Sequence, residues 1–184
     1  MVRIAILSLL WGFTCLGFCK NPPPMIQVDL ILFTHLTPRP PLSIHQSQPK
    51  GTESAISLQK MSKTSHLPYH ILPATASQLQ NEYWGLNRKP QYHILMHQSW
   101  LQPSKASKAV AIQNATHNGW IIDGVLSLPQ QGNDYILNTA LLFSKEDDPA
   151  QGFLWSHKQR LKPDVVYYID HPQAGILLKI HHVH

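Results

Sequence analysis

The segment that most constrains the fold of this chain is residues 165–181. Two runs rich in β-branched, aliphatic and aromatic side chains flank a short break at residues 170–175. This arrangement is typical of two antiparallel strands joined by a tight turn, in which Pro172 presets its own φ and Gly175 permits a positive φ. We expect the Asp170 side chain to accept backbone N–H groups within that turn. The sequence therefore predicts an antiparallel strand pair at this end of the chain.

The first 19 residues have the layout of a secretory signal peptide. Arg3 gives a positive start, and residues 4–11 form an apolar core that is too short to span a bilayer. We expect cleavage after Gly17 or Cys19, before a polar, proline-rich stretch. Acylation of Cys19 is the alternative, and the bulky Phe18 disfavours it because lipoprotein sites place a small residue there. The mature chain is therefore predicted to be exported, with no transmembrane segment.

Both cysteines, Cys15 and Cys19, lie in this predicted signal peptide. A mature chain without thiols has no disulfide framework, no thiolate metal site and no cysteine nucleophile. The formal net charge of the whole chain is +5, and its basic residues are scattered. Because a nucleic-acid interface needs a concentrated basic stripe with stacking aromatics, we expect no nucleic-acid partner.

Past the signal peptide we predict one domain in three parts. Residues 20–35 hold its first strand, residues 36–73 form a proline-rich loop, and residues 74–184 hold a helix and the antiparallel sheet. The loop contains six prolines among polar residues. It has too little apolar surface to offset the cost of ordering, so we expect an extended, partly disordered surface loop.

One helix is predicted directly after the loop. Thr75 and Gln78 fit a capping box, in which each side chain bonds a backbone N–H near the other residue. Leu79, Tyr83 and Leu86 recur at i, i+4 and i+7 and give the helix one apolar face. The polar stretch that follows ends in proline, which stops the helix.

The rest of the chain alternates between apolar runs and turn residues. The predicted strands are residues 26–33, 92–100, 109–112, 120–128, 135–143, 153–161, 165–169 and 176–183. Consecutive strands with short connections usually pair, so we expect a meander-like, mainly antiparallel sheet of seven or eight strands. With the helix covering one face of this sheet, the predicted fold class is α+β.

Twelve histidines raise the question of a metal site. His93 and His97 are four residues apart but lie in a predicted strand, where that spacing separates side chains by about 13 Å, too far to share one ion. The histidines at positions 181, 182 and 184 are better explained as a frayed strand end. We expect neither a metal nor a cofactor.

Enzymatic motifs are missing from the sequence. It contains no Gly-x-Ser-x-Gly elbow, no His-Glu-x-x-His and no glycine-rich phosphate loop. Asp170 and His171 are two residue types of a hydrolase triad, but adjacent residues on an extended chain point in opposite directions. We therefore predict a non-enzymatic protein in which Asp170, His171, Pro172 and Gly175 form a structural turn.

The candidate ligand-binding residues are His97, Gln98 and Trp100, at the end of a predicted strand. Together they offer stacking and hydrogen-bonding groups for a sugar or a peptide. Arg160 is predicted as a cationic partner across the sheet, able to meet carboxylates. The alternative is that Trp100 closes the core beneath the helix.

Residues 92–103, Tyr-His-Ile-Leu-Met-His-Gln-Ser-Trp-Leu-Gln-Pro, resemble the Tyr-Arg-x-Leu-Leu-His-Gln-Ala-Trp-Arg-Gln-Pro block of the CsiV family. Residues 168–180 resemble its closing Tyr-x-Asp-His-Pro-x-x-Gly segment, and residues 26–33 its first strand. The resemblance covers residues 26–35 and 76–182. His93 and Leu101 replace family arginines. If those arginines hold wall carboxylates or phosphates, binding by this chain is expected to be weaker or altered.

Members of this family are periplasmic peptidoglycan-binding proteins of Gram-negative bacteria, linked to cell shape. They are also linked to activation of a wall synthase through its outer-membrane lipoprotein partner. The resemblance therefore implies a non-enzymatic peptidoglycan-binding protein of the periplasm. Two alternatives stay open: an envelope scaffold whose sheet edges bind another protein, and a wall hydrolase that uses Asp170 and His171.

Overall fold

The structure, a computed structural model, describes residues 23–35, 54–60, 67–106, 108–117, 119–148 and 152–183. The predicted signal peptide with both cysteines lies outside these residues. Within the described part of the chain, no helix is long and apolar enough to cross a membrane.

Strands dominate the described residues, with a single α-helix among them. In chain order the elements are β1 (Met25–His35), β2 (Ile56–Ser57), α1 (Gln80–Asn87), β3 (Tyr92–Pro103), β4 (Val110–His117), β5 (Trp120–Ser127), β6 (Gln130–Gln131), β7 (Asp134–Lys145), β8 (Phe153–Leu161), β9 (Val166–Asp170) and β10 (Ala174–Val183). Each of the eight predicted strands is present. The two additional strands, β2 and β6, are two residues long and have no periodicity that a sequence pattern could reveal.

The strands form two sheets rather than the one sheet that we predicted. The first sheet has the order β3-β1-β10-β9, and the second has the order β2-β4-β5-β7-β6 with β8 also paired to β7. All pairs are antiparallel except β2 with β4. The second sheet follows the predicted meander from β4 to β8. The first sheet joins strands that are distant in sequence, which a rule based on consecutive pairing cannot anticipate.

The main hydrophobic core lies between the two sheets. Strand β1 shows how the sequence builds it: Val28, Leu30 and Leu32 belong to this core, whereas Ile31 and Phe33 belong to a second cluster with the helix. Side chains alternate between the two faces of a strand, so a central strand that is covered on both faces is apolar throughout. This explains the run from Leu30 to Phe33.

Helix α1 covers the outer face of the first sheet, opposite the main core. The predicted apolar face of the helix is confirmed, because Leu79, Tyr83 and Leu86 pack in the cluster that contains Phe33. The predicted capping box is wrong. Thr75 lies in a short 3-10 turn that ends before α1, and the hydroxyl of Ser77 accepts the backbone N–H of Leu79 at 3.2 Å instead.

The predicted strand pair at residues 165–181 is confirmed as the β9–β10 hairpin, which pairs Asp170 with Gly175. Its turn works differently from our prediction. Gly175 lies inside β10 and is not among the residues with positive φ. A Cβ atom at this position would lie 2.9 Å or less from three carbon atoms of the Phe33 ring, so close packing requires the glycine.

The Asp170 carboxylate also has a different partner from the one predicted. It accepts the hydroxyl of Tyr168 at 2.7 Å rather than a backbone N–H. The turn is closed by the main chain, since the N–H of His171 donates to the carbonyl of Ala174 at 2.9 Å. The imidazole Nδ1 of His171 accepts the N–H of Gln173. In this turn the His171 imidazole accepts the backbone N–H that we expected the Asp170 carboxylate to accept. A purely structural role for the four turn residues stays a prediction.

Two stretches of the predicted proline-rich loop are described, and both are paired with the sheets. Strand β2 lies beside β4, and Ile71 bridges to Trp100 on β3. The N–H groups of Tyr69 and Leu72 donate to carbonyls of β3 at 2.6 and 2.8 Å. Residues 36–53 and 61–66 of this predicted loop lie outside the described residues.

Candidate functional site

The structure separates the predicted ligand-binding residues of β3. His97 faces helix α1, and its ring stacks on Tyr83 at a centroid distance of 4.8 Å. Gln98 and Trp100 point the other way, toward the second sheet. Trp100 is 0% exposed, and its indole N–H donates to the Gln102 side chain at 2.9 Å. The Trp100 ring therefore belongs to the core, which was the alternative to a binding role. It lies between the two sheets rather than beneath the helix, and it has no face open to a sugar.

Arg160 lies on the outer face of the second sheet. Its Nε atom is 3.1 Å from the Asp134 carboxylate, and its side chain is largely exposed. His97 lies on the outer face of the first sheet, so the sandwich of both sheets separates the two side chains. The structure does not form the single recognition surface that we predicted for these residues.

A groove of about 680 Å³ runs between α1 and the first half of β3. Tyr83 and Asn87 line it from the helix, Lys89 from the connection, and His93 and His97 from the strand, together with Pro90, Tyr92 and residues 94–96. The first half of the block at residues 92–103 that resembles the CsiV family, residues 92–97, therefore borders an accessible groove. The sequence analysis missed Asn87 and Lys89, although their position just before this block was an available signal.

The groove exists because β3 is an edge strand. Its neighbour on one side is β1, and residues 69–72 cover its other side only near Ser99, Trp100 and Leu101. Over residues 93–98 the edge of β3 that faces away from β1 has no strand partner among the described residues. The pairing with β1 also shifts between Leu32 and Phe33, which leaves Leu95 without a direct partner. Irregular edges of this kind leave backbone donors and acceptors available to a ligand.

The groove combines aromatic faces with the Lys89 cation and several hydrogen-bonding groups. The Lys89 ammonium lies 5.9 Å from the centre of the Tyr92 ring. Burial lowers the pKa of His97, so its imidazole is neutral at neutral pH, and its Nε2 atom lies 2.9 Å from the Ser77 hydroxyl. This set of groups suits a ligand that carries carboxylates and amides on a partly apolar body.

A buried polar cluster lies under the N-terminal end of the helix. Asp29 is 0% exposed, accepts the Gln27 amide at 3.0 Å and the Ser99 hydroxyl, and lies 3.6 Å from Nδ1 of His181. The residue types are those of a catalytic triad. The connections are not, because Ser99 donates to Asp29 rather than to a histidine, and a nucleophile must be activated by its base. Burial lowers the pKa of His181.

Asp170 and His171 do not form a catalytic pair either. The Asp170 carboxylate is bonded to Tyr168 and lies 3.6 Å from Nε2 of His35. The His171 ring instead stacks on Phe153 at a centroid distance of 4.7 Å. Among the residues that the structure describes, no group of three or more histidine, cysteine or acidic side chains is arranged to hold a metal ion.

Comparison with known protein families gives one match. Residues 9–148 match the model of a family described as "Peptidoglycan-binding protein, CsiV". The matched range includes the helix, the groove and β1 to β7, and it ends before β8. Comparison with curated proteins gives no match, and neither does comparison with solved structures.

Proposed function

Since the chain belongs to the CsiV family, whose model matches about three quarters of its length, we propose that it binds peptidoglycan through the groove between α1 and β3. The family description supports peptidoglycan as the ligand. The position of the groove beside the residue 92–103 block supports the choice of site.

The chemistry of the groove suits the peptide part of peptidoglycan. Peptidoglycan consists of strands of N-acetylated amino sugars that carry short peptides with free carboxylates. Lys89 offers a cation to those carboxylates, while Asn87 and His93 offer hydrogen bonds to amides. His93 stands where the family block has an arginine, so Lys89 is the principal cation of this groove.

The proposed role is non-enzymatic and lies in the periplasm. The two Asp and His combinations described above serve the packing of the protein, and neither includes an activated nucleophile. Export through the predicted signal peptide places the mature chain next to the wall. Mass spectrometry of its N-terminus distinguishes cleavage near residue 20 from a lipid anchor on Cys19.

The resemblance to the family also supports a regulatory role. In this proposal the wall-bound protein contacts the outer-membrane lipoprotein that activates a cell-wall synthase. Cross-linking of the protein in cells, followed by identification of the captured lipoprotein, tests the contact. A wall-bound protein that captures no such lipoprotein would have a binding role only.

Co-sedimentation with purified sacculi tests peptidoglycan binding and its location. We expect Lys89→Ala to weaken binding about tenfold, close to 1.4 kcal/mol, because it removes a charge-assisted contact. Lys158→Ala is the matched control, since Lys158 is exposed on β8, outside the groove. A wild-type protein that does not sediment with sacculi contradicts the function. Equal binding by wild type and Lys89→Ala contradicts only the location.

One observation favours a second function. The edge of β3 at residues 93–98 has no strand partner in the described part of the chain, and such an edge can receive a strand from another protein. A scaffold of this kind would retain its protein partner after the wall is digested. Release of soluble fragments from labelled sacculi would instead indicate a hydrolase.

A further inference from the structure

We propose that the outward face of helix α1 is a carbohydrate platform, on which the Trp84 ring stacks against a sugar ring of the glycan strand. Asn81 and Arg88 flank this ring and bond the polar substituents of the sugar. The proposal rests on the proposed function and specifies which part of peptidoglycan meets this face of the helix.

The exposure of Trp84 is the first observation. Its side chain is 53% exposed and belongs to neither of the two hydrophobic clusters. The helix already packs on the sheet through Leu79, Tyr83 and Leu86, so it does not need Trp84 for attachment. A large aromatic ring that packing does not require, beside polar groups, is the usual means by which proteins bind the apolar face of a sugar.

The neighbours of Trp84 give the second observation. Asn81 and Arg88 lie three residues before and four residues after it, on the same side of the helix. The three residues line a shallow depression of about 530 Å³. The Arg88 Nε donates to the carbonyl of Trp84 at 3.1 Å, which holds the guanidinium close to this helix face. Among the described residues Arg88 has no ion-pair partner, so its other N–H groups can serve a ligand.

Gly85 gives a third and independent observation. It is the sixth residue of an eight-residue helix, where glycine is less favourable than alanine. Its φ is not positive, and a Cβ atom added to it would meet nothing within 4 Å beyond its two chain neighbours and the helix's own backbone. Neither backbone conformation nor internal packing therefore requires this glycine. Because Gly85 has no side chain, it adds no protruding atoms to the helix surface next to Trp84, and a sugar ring can lie flat across it.

The platform adjoins the groove. Tyr83 lines the groove, and its ring centre is 5.1 Å from that of Trp84. A glycan strand on the platform would therefore present its attached peptide to the cationic groove on the other side of the helix. The two sites divide peptidoglycan by chemistry, with the sugar on Trp84 and the peptide carboxylate on Lys89.

Binding to glycan strands from which an amidase has removed the peptides tests the platform. We expect the wild-type protein to bind these strands and Trp84→Ala to lose at least tenfold in affinity, with an unchanged melting temperature. Tyr168→Ala is the matched control, because Tyr168 has the same exposed fraction but lies on β9. Gly85→Ala is the sharper variant: it should raise the melting temperature and still weaken glycan binding several-fold.

The outcomes separate this proposal from the proposed function. A wild-type protein that binds intact sacculi but not peptide-free strands overturns the platform and leaves peptidoglycan binding in place. Peptide-free strands that bind wild type and Trp84→Ala equally overturn it as well. A wild-type protein that binds neither material overturns both proposals.

Discussion

The substitution Gly175→Ala should destabilise the protein through one side chain on the neighbouring strand. Gly175 on β10 lies directly opposite Phe33 on β1, and the added Cβ atom would overlap three carbons of the Phe33 ring. This ring is 1% exposed and has little room to move. It stacks on His35 and Tyr168 at 5.8 and 6.1 Å and meets Tyr92 edge-on at 5.3 Å.

The expected cost follows from this confinement. Adding one methyl group to a well-packed core typically costs about 1–3 kcal/mol, because neighbouring side chains leave their preferred rotamers. For a domain of this size that corresponds to a decrease in melting temperature of roughly 2–4 °C per kcal/mol. Gly85→Ala is the control, because its Cβ atom meets no atom beyond its chain neighbours and the helix's own backbone, and the change should stabilise the helix by about 1 kcal/mol.

Urea denaturation of a double-mutant cycle tests the reasoning. Phe33→Leu removes the ring atoms that the new Cβ atom would meet, so Gly175→Ala should cost less in that background than in the wild type. We expect a coupling free energy of about 1 kcal/mol or more between the two positions. Additive effects, or a Gly175→Ala protein as stable as the wild type, would refute the proposed overlap.

Three further predictions concern the histidines, the core and the second sheet. Burial lowers the pKa values of His97, His171 and His181 below 6.5, so in acid the unfolded chain binds more protons than the folded protein. The stability that these neutral histidines contribute should be complete above about pH 6.5, and the free energy of unfolding should fall as the pH decreases. Urea midpoints that stay constant from about pH 7.5 to 5 would contradict this. Trp100→Ala should lower the free energy of unfolding by about 3–5 kcal/mol, because it empties a fully buried site. Urea denaturation followed by circular dichroism measures this loss, and a value below about 1 kcal/mol would place the ring outside the core. Arg160→Ala should cost less than about 1 kcal/mol and leave sacculus binding unchanged, whereas a tenfold loss of binding would restore Arg160 to the site.

The sequence was sufficient to locate the helix and the long strands, because each has a clear periodicity. The apolar face of α1 and the hairpin of β9 and β10 follow directly from such patterns. The division into two sheets was not predictable in this way. It depends on β1 pairing with β3 and β10, and pairing between distant strands leaves no periodic signal in either strand.

The candidate site shows the same limit at the level of single side chains. Strand periodicity implies that His97 and Gln98 face opposite sides, yet the sequence does not tell which side is buried. Trp100 fits a binding residue and a core residue equally well until the second sheet is in place. Trp84 lies outside the apolar face of the helix, so the periodicity that identifies this face gives no signal for it.

The pairing of β1 with β10 has a consequence for how the chain acquires its structure. β1 ends at His35 and β10 begins at Ala174, so the first sheet closes only when two distant parts of the chain meet. Loops of this length are entropically costly to close, and folds dominated by such contacts form slowly. During synthesis, β1 emerges long before β10, and until then the edge of β1 that faces β10 has no partner strand. We therefore expect a late, nearly full-length intermediate in which the edge of β1 that faces β10 is still unpaired.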